Sequence, residues 1–208
     1  MLTKKSDLFH NDLYGGISVV GESDFKRCSE LWSKSLKPSC FEQRGEYSST
    51  DANRNSVFVV RQQSFTDYFS STKRDFLGKP LNQVDFIIGL VELFCVLDEV
   101  EIRALVVDKK FRKNGLGEAL LIASIEQSLI WSTITISLEV RVSNYIAISL
   151  YHKYGFSIIG SRKQYYEDTK EDAFIMKSPK LNSIEFQITF QALVNRHRCR
   201  MSKVFNCG

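Results

Sequence analysis

The chain has 208 residues, is 43% hydrophobic and 25% charged, and carries a net charge of +4. Those values are ordinary for a globular soluble protein of about one domain, long enough to bury a core. So mild a positive surplus does not by itself mark a nucleic-acid binder. Five cysteines (Cys28, Cys40, Cys95, Cys199 and Cys207) are widely spaced, with no Cys-x-x-Cys pair and no histidine cluster. Neither a metal site nor a disulfide framework is expected, and reduced thiols point to a cytoplasmic protein. The N-terminal residues contain no apolar run of signal-peptide length. The most apolar stretch, 86–97, is interrupted by Glu92 and is far shorter than the roughly 20 residues a bilayer span needs.

In chain order, 17–20 reads as a short strand. Ser23 or Asp24 then caps a helix that places Phe25, Cys28, Leu31 and Trp32 on one face. A further helix is an option within 34–51. Residues 56–61 are β-branched and aromatic, hence a strand. The polar segment 62–84 reads as a surface insertion. A longer strand is expected at 85–97, with Gly89 at a bulge, and a turn at Asp98-Glu99 leads into an antiparallel strand at 101–107.

Next comes "FRKNGLGEAL", in which Arg112 and Lys113 precede Gly115 and Gly117, followed by Leu116, Ala119, Leu120 and Ala123 at helical spacing. Residues 132–140 alternate and are rich in Ile, Val and Thr, which predicts a strand. Ser143 or Asn144 caps a helix bearing Ile146, Ala147, Leu150, Tyr151 and Tyr154, and Gly155 ends it. Residues 156–161 and 173–177 close the domain as a hairpin. The order β-α-β-β-β-α-β-α-β-β predicts a mixed α/β fold, one sheet with helices on both faces, over residues 15–178. Residues 179–208 follow as a basic extension. From 181 on, Arg196, Arg198, Arg200 and Lys203 stand against the single acid Glu185. A solvated, poorly ordered terminus is the expectation there, with contact to RNA phosphates as the second reading.

The glycine pair is open to two accounts. It does not match a P-loop, since no Lys-Ser or Lys-Thr follows, and Leu120 stands where the dinucleotide fingerprint needs a small residue. What remains is a basic turn between a strand and a helix. It is either a structural turn or an anion cradle, in which glycines admit a phosphate to the free N–H groups of the helix start.

Three segments in order carry a resemblance. They are Arg112-x-x-Gly115-x-Gly117; "LEVRVSNYIAISLYHKYGF" at 138–156; and "RKQYYEDTKEDAFIMK" at 162–177. Together they resemble the GCN5-related N-acetyltransferase (GNAT) superfamily, and within it the ribosomal-protein alanine N-acetyltransferases. The resemblance covers roughly residues 17–177; the insertion and the tail depart from it. It implies the GNAT fold, with a mostly antiparallel sheet, and acetyl-CoA as co-substrate. The implied cofactor contacts are Leu105, Val106 and Val107 along the pantetheine, with a bulge there aiming an N–H at the acetyl carbonyl. Arg112, Lys113, Asn114, Gly115, Leu116, Gly117 and Glu118 would surround the pyrophosphate, and Asn144 would also contact the cofactor. Glu139 is implied as general base, Tyr151 as general acid, and Tyr165 and Tyr166 as the lining of the peptide entrance. The implied acceptor is the N-terminal α-amine of a protein, an alanine of ribosomal protein S18. A lysine side chain, a small-molecule amine, and a non-catalytic CoA- or ribosome-binding module are the alternatives.

Overall fold

The computed structural model describes residues 17–19, 54–61 and 87–206, with side chains for 87–201. The expected helices within 23–51 and the insertion at 62–84 lie outside the described residues. Seven strands form one sheet in the order β1-β2-β3-β4-β5-β7-β6. They are β1 (Ile17–Val19), β2 (Arg54–Arg61), β3 (Ile87–Val96), β4 (Glu99–Val107), β5 (Thr135–Arg141), β6 (Ser157–Tyr166) and β7 (Glu171–Lys177). Every neighbouring pair is antiparallel except β4 and β5. A parallel pair needs a crossover, and the helix α1 (Leu116–Ile130) supplies it.

The strands follow from their residues. β3 is buried along nearly its whole length, whereas β4 and β5 alternate buried with half-buried positions. The β3–β4 turn comes one residue earlier than expected, at Leu97-Asp98, with Leu97 in the left-handed region. Gly89 pairs with Val60 in register, and the extra residue of the bulge is its neighbour Ile88. A Cβ on Gly89 would stand 3.2 Å from the Val106 carbonyl oxygen and 3.3 Å from a Leu120 methyl, so glycine here serves close packing of α1 on the sheet.

α1 packs on β2, β3, β4 and β5 and also on the last helix. It is therefore buried almost all round: Leu116, Leu120, Leu121, Ile122 and Ile125 are in the core, and the buried Ser124 and Ser128 hydroxyls donate to carbonyls four residues back. The second helix, α2 (Tyr145–Lys153), starts at Asn144, whose side chain accepts from the Ala147 N–H. It ends in a Schellman turn. The N–H groups of Gly155 and Phe156 donate to the carbonyls of His152 and Tyr151, with Gly155 at φ 82°.

The C-terminal residues overturn the expectation of a solvated terminus. Residues 184–206 form a helix, α3 (Ile184–Asn206), with the Ser183 hydroxyl accepting from the Phe186 N–H at its start. Phe186, Phe190, Val194, His197 and Met201 recur at intervals of three and four and make one buried stripe. Leu181, Phe186, Phe190 and Val194 belong to the same apolar core as α1 and the sheet. Phe190 packs edge-on to Tyr154 at 6.3 Å and parallel to Phe186 at 5.8 Å. The charges misled because the apolar stripe occupies only one face of a helix that is otherwise polar. Among the described residues no helix is long and apolar enough to cross a membrane.

A core aromatic is costly to truncate, so Phe190→Ala should lower stability by about 3–5 kcal/mol. Urea unfolding should show a lower midpoint with an unchanged slope. An unaltered midpoint would mean that α3 is not part of the folded core.

Candidate active site

β4 and β5 pair from Glu99 with Thr135 to Ile102 with Leu138, and there the pairing stops. Both strands continue, β4 to Val107 and β5 to Arg141. The sheet is thus split into a V between residues 103–107 and 139–141. The parting begins at a bulge: Glu92 faces Ala104 but Leu93 faces Ile102, so Arg103 is the extra residue. The bulge is two residues earlier than the expected place at 105–107. Leu105, Val106 and Val107 lie on the opened stretch, where backbone polar groups that a neighbouring strand would satisfy are left for another partner.

Beyond Val107 a 3-10 turn (Lys109–Phe111), capped by the Asp108 carboxylate, leads to the glycines. Arg112 Nε donates to the Val107 carbonyl at 3.0 Å, and Asn114 Nδ2 donates to that of Phe111. Arg112, Lys113 and Asn114 are exposed. Lys113 and Gly115 both have positive φ, 66° and 81°. Gly115 is the N-cap of α1 and brings no side-chain cap, so the first-turn N–H groups retain their capacity to bind an anion. Leu116 and Glu118 turn inward instead, and their side chains are buried.

Glu118 is the electrostatic centre of this end. Its carboxylate accepts from Lys153 Nζ and Tyr154 Oη (2.7 Å) on one side and from Arg200 Nη2 on the other, with His197 Nδ1 at 3.2 Å. Burial alone would raise its pKa, but the hydrogen bonds from His197, Lys153, Arg200 and Tyr154 outweigh it and hold the carboxyl far below the usual range. A side chain expected at the pyrophosphate thus serves to join α1, α2 and α3. Gly115 is drawn into the same junction: an added Cβ would lie 2.8 Å from Met201 Sδ and 3.1 Å from the His197 ring. Gly117 has only ordinary contacts, at 3.9 Å from Leu105 and Val107.

Glu139 stands on β5 between buried Leu138 and Val140, its side chain on the opposite face and largely shielded. The Arg162 guanidinium donates to its carboxylate, and the Tyr165 phenol stands near enough to be influenced by it. Tyr165 is shifted upward by burial and then by the neighbouring Glu139 carboxylate, so at neutral pH it keeps its phenolic proton. Tyr166 is pushed up to about 12, mainly by burial, with the Arg141 guanidinium 3.7 Å over its ring. Simple alternation would send the two tyrosines to opposite faces. Instead Gln164 takes a left-handed φ of 51°, β6 slips register between Arg162 and Tyr166, and the two rings meet edge-to-face at 5.2 Å.

Arg141 fixes this wall. It bonds both Asp168 oxygens at 2.9 Å, together with Thr169 and Glu171, while Glu171 accepts from the Ser143 N–H. Tyr151 is buried against Phe156, and burial, then neighbouring Tyr166, raises its pKa, so it too keeps its proton. Asn144 is occupied as the α2 cap. Glu139 and Arg162 also line an open cleft of about 490 Å³, together with Asp98, Glu99, Glu101 and Ser137. Arg162 was missed as a site residue in its own right; the signal was its place at the head of the Arg-x-x-Tyr-Tyr segment. Among the described residues no group of His, Cys, Asp and Glu is placed to hold a metal ion.

A sheet parted beside a glycine turn, with a carboxylate on the parted strand β5 and phenols supplied by α2 and β6, is the arrangement of an acyl-transfer enzyme. The chain belongs to the Acetyltransferase (GNAT) family, whose model matches residues 32–156. It is 38% identical over 128 residues to a putative ribosomal protein bS18-alanine N-acetyltransferase of Bacillus subtilis, which covers 58% of this chain and 85% of that one. It is 34% identical over 114 residues to the ribosomal protein bS18-alanine N-acetyltransferase of Salmonella typhimurium, covering 54% and 77%. The crystal structure of the Escherichia coli ribosomal-protein-S18-alanine N-acetyltransferase superposes with a TM-score of 0.55 at 25% identity, over 79% of this chain and 92% of that one.

Removing one member of a buried ion cluster strands the others, so Glu118→Gln should cost about 3–5 kcal/mol at neutral pH. The carboxyl is held down in the fold, so its contribution is full above the ordinary value of about 4.3 and drains as pH falls below it. Denaturant midpoints from pH 7 to pH 3 should therefore fall less steeply in Glu118→Gln than in the parent chain. Parallel curves would show that Glu118 carries no such linkage.

Proposed function

We propose that this chain is an acetyl-CoA-dependent N-acetyltransferase acting on the N-terminal α-amine of a protein, with the alanine of a ribosomal S18-type protein as acceptor. The observation that carries the reading is Glu139 on the edge of the parted sheet, facing the Tyr165–Tyr166 pair. The V and the glycine turn fit acyl-CoA, whose amide-bearing arm would lie along Leu105, Val106 and Val107. Its phosphates would meet the turn from Arg112 to Gly117. Acetyl-CoA supplies the activated acetyl group.

The remaining chemistry belongs to the chain. The acceptor ammonium must lose a proton before its nitrogen can attack, and Glu139 is the carboxylate placed to take it. Tyr151 holds a phenolic proton that can be given to the departing thiolate. Arg162 orients the Glu139 carboxylate. An incoming ammonium competes with Arg162 for it, and the exposure of Arg162 leaves that guanidinium room to swing out. An α-amine, with a pKa near 7.7–8.0 against about 10.4 for lysine, needs far less help to deprotonate near neutrality, which suits a single glutamate base.

Glu139→Gln and Tyr151→Phe should each lower kcat by about 10²–10⁴-fold while leaving CoA affinity within a few-fold. Steady-state kinetics and calorimetry provide both numbers, and undiminished turnover in either variant removes that residue from the chemistry. With a peptide beginning in alanine, fragment spectra should place the acetyl group on the α-amine alone. Comparable acetylation of internal lysines in an N-terminally blocked peptide would favour the lysine reading instead.

A further inference from the structure

The helix α3 begins at Ile184, beyond the end of the family match at residue 156, yet it reaches back to the glycine turn. Met201 and His197 fill the space beside Gly115, and Arg200 Nη2 lies 3.6 Å from where a Cβ on Gly115 would stand. That same Nη2 serves both Glu118 and His197. Arg200 is half-exposed, and among the described residues its Nε and Nη1 donors have no partner. The charges do not balance either. One buried carboxylate, Glu118, is paired with two cations, Lys153 and Arg200. A positive surplus therefore sits beside the open N-terminus of α1 and the exposed Arg112 and Lys113.

We propose that Arg200, supplied by the C-terminal helix, is a phosphate-binding residue for the acyl-CoA co-substrate, held at the glycine turn by Glu118 and aimed by its free donors. It rests on the acyl-CoA reading above and extends it to an element the family match does not reach. A guanidinium has donors for two acceptors at once, so Arg200 can keep Glu118 through Nη2 and still give Nε and Nη1 to phosphate oxygens. The helix thereby couples its own docking to occupancy of the cofactor site.

The experiment measures binding of CoA, and of pantetheine as the phosphate-free probe, to the full chain by calorimetry at low salt. Arg200→Gln should weaken CoA about 10–100-fold, the worth of one charge-assisted contact. It should leave pantetheine unchanged. Arg196→Gln, which removes the same charge from an exposed position on the same helix, should leave CoA affinity within twofold. Arg200→Lys keeps a cation for Glu118, and so the fold, but its single ammonium lacks the fork, so most of the loss should persist. Equal CoA affinity in Arg200→Lys and the parent chain, or an equal loss with pantetheine, or an equal loss in Arg196→Gln, overturns the proposal. A parent chain that binds no CoA at all overturns the acetyltransferase reading with it, whereas CoA binding indifferent to residue 200 overturns this inference alone.

Discussion

The buried carboxylate of Glu118 is the constraint on which the glycine-turn end of the molecule depends. It sits in the first turn of α1, where a negative side chain is favoured by the helix dipole, but it gains far more from its partners. Lys153 and Tyr154 bring in the end of α2, and Arg200 with His197 brings in α3. A carboxylate only 7% exposed is tolerable because every oxygen is matched. Three helices that are distant in sequence therefore meet at the point where the chain leaves β4. Gly115 completes the junction, since any side chain there would both oppose a φ of 81° and strike Met201.

The second constraint is the parting of β4 from β5. Parallel strands joined through α1 would ordinarily pair to their ends. Here the Arg103 bulge bends β4 after Ile102, and the Arg103 guanidinium is held over the Phe94 ring at 3.4 Å and to Glu101. The sheet holds together on the far side because β5 pairs with β7 from Ser137 to Arg141. Splitting one ladder while its neighbours stay intact exposes backbone donors and acceptors without an open outer edge. From Arg103 to Val107 this strand edge is about 13 Å long, at roughly 3.3 Å per residue.

Much of this was legible in the residues. The alternation around Leu138, Glu139 and Val140 placed the carboxylate opposite the core, and Asn144 and Gly155 marked both ends of α2. Other features were hidden for physical reasons. A glutamate directly after Gly117 reads as part of a helix start; nothing local announces partners 35 and 82 positions away. Alternation along an extended strand would send Tyr165 and Tyr166 to opposite faces, and the left-handed Gln164, a conformation that glutamine does not advertise, brings the rings together. The spacing of Phe186, Phe190, Val194 and Met201 was in plain view as a helical stripe, but the density of arginine around it drew the reading toward solvent.

A net charge of +4 says little about this molecule because the charges are sorted along β4. At the start of the strand Asp98, Glu99 and Glu101 line the cleft with Glu139 from β5, and past its end lie Arg112, Lys113 and Arg200. Three of these four acids also have a use in the fold: Glu99 receives Lys177, Glu101 receives Arg103, and Glu139 receives Arg162, which leaves the Asp98 carboxylate at this end. What remains is a field that favours a cation at one end and a polyanion at the other, and a cleft with low-dielectric walls focuses such a field. On the proposed reading, an ammonium and a phosphate-bearing acyl donor would be drawn to opposite ends of one split sheet and meet beside Glu139. Were the two ends of like charge, the first reactant to bind would repel the second. On that reading, sorting the charges along a single strand would let both arrive by attraction.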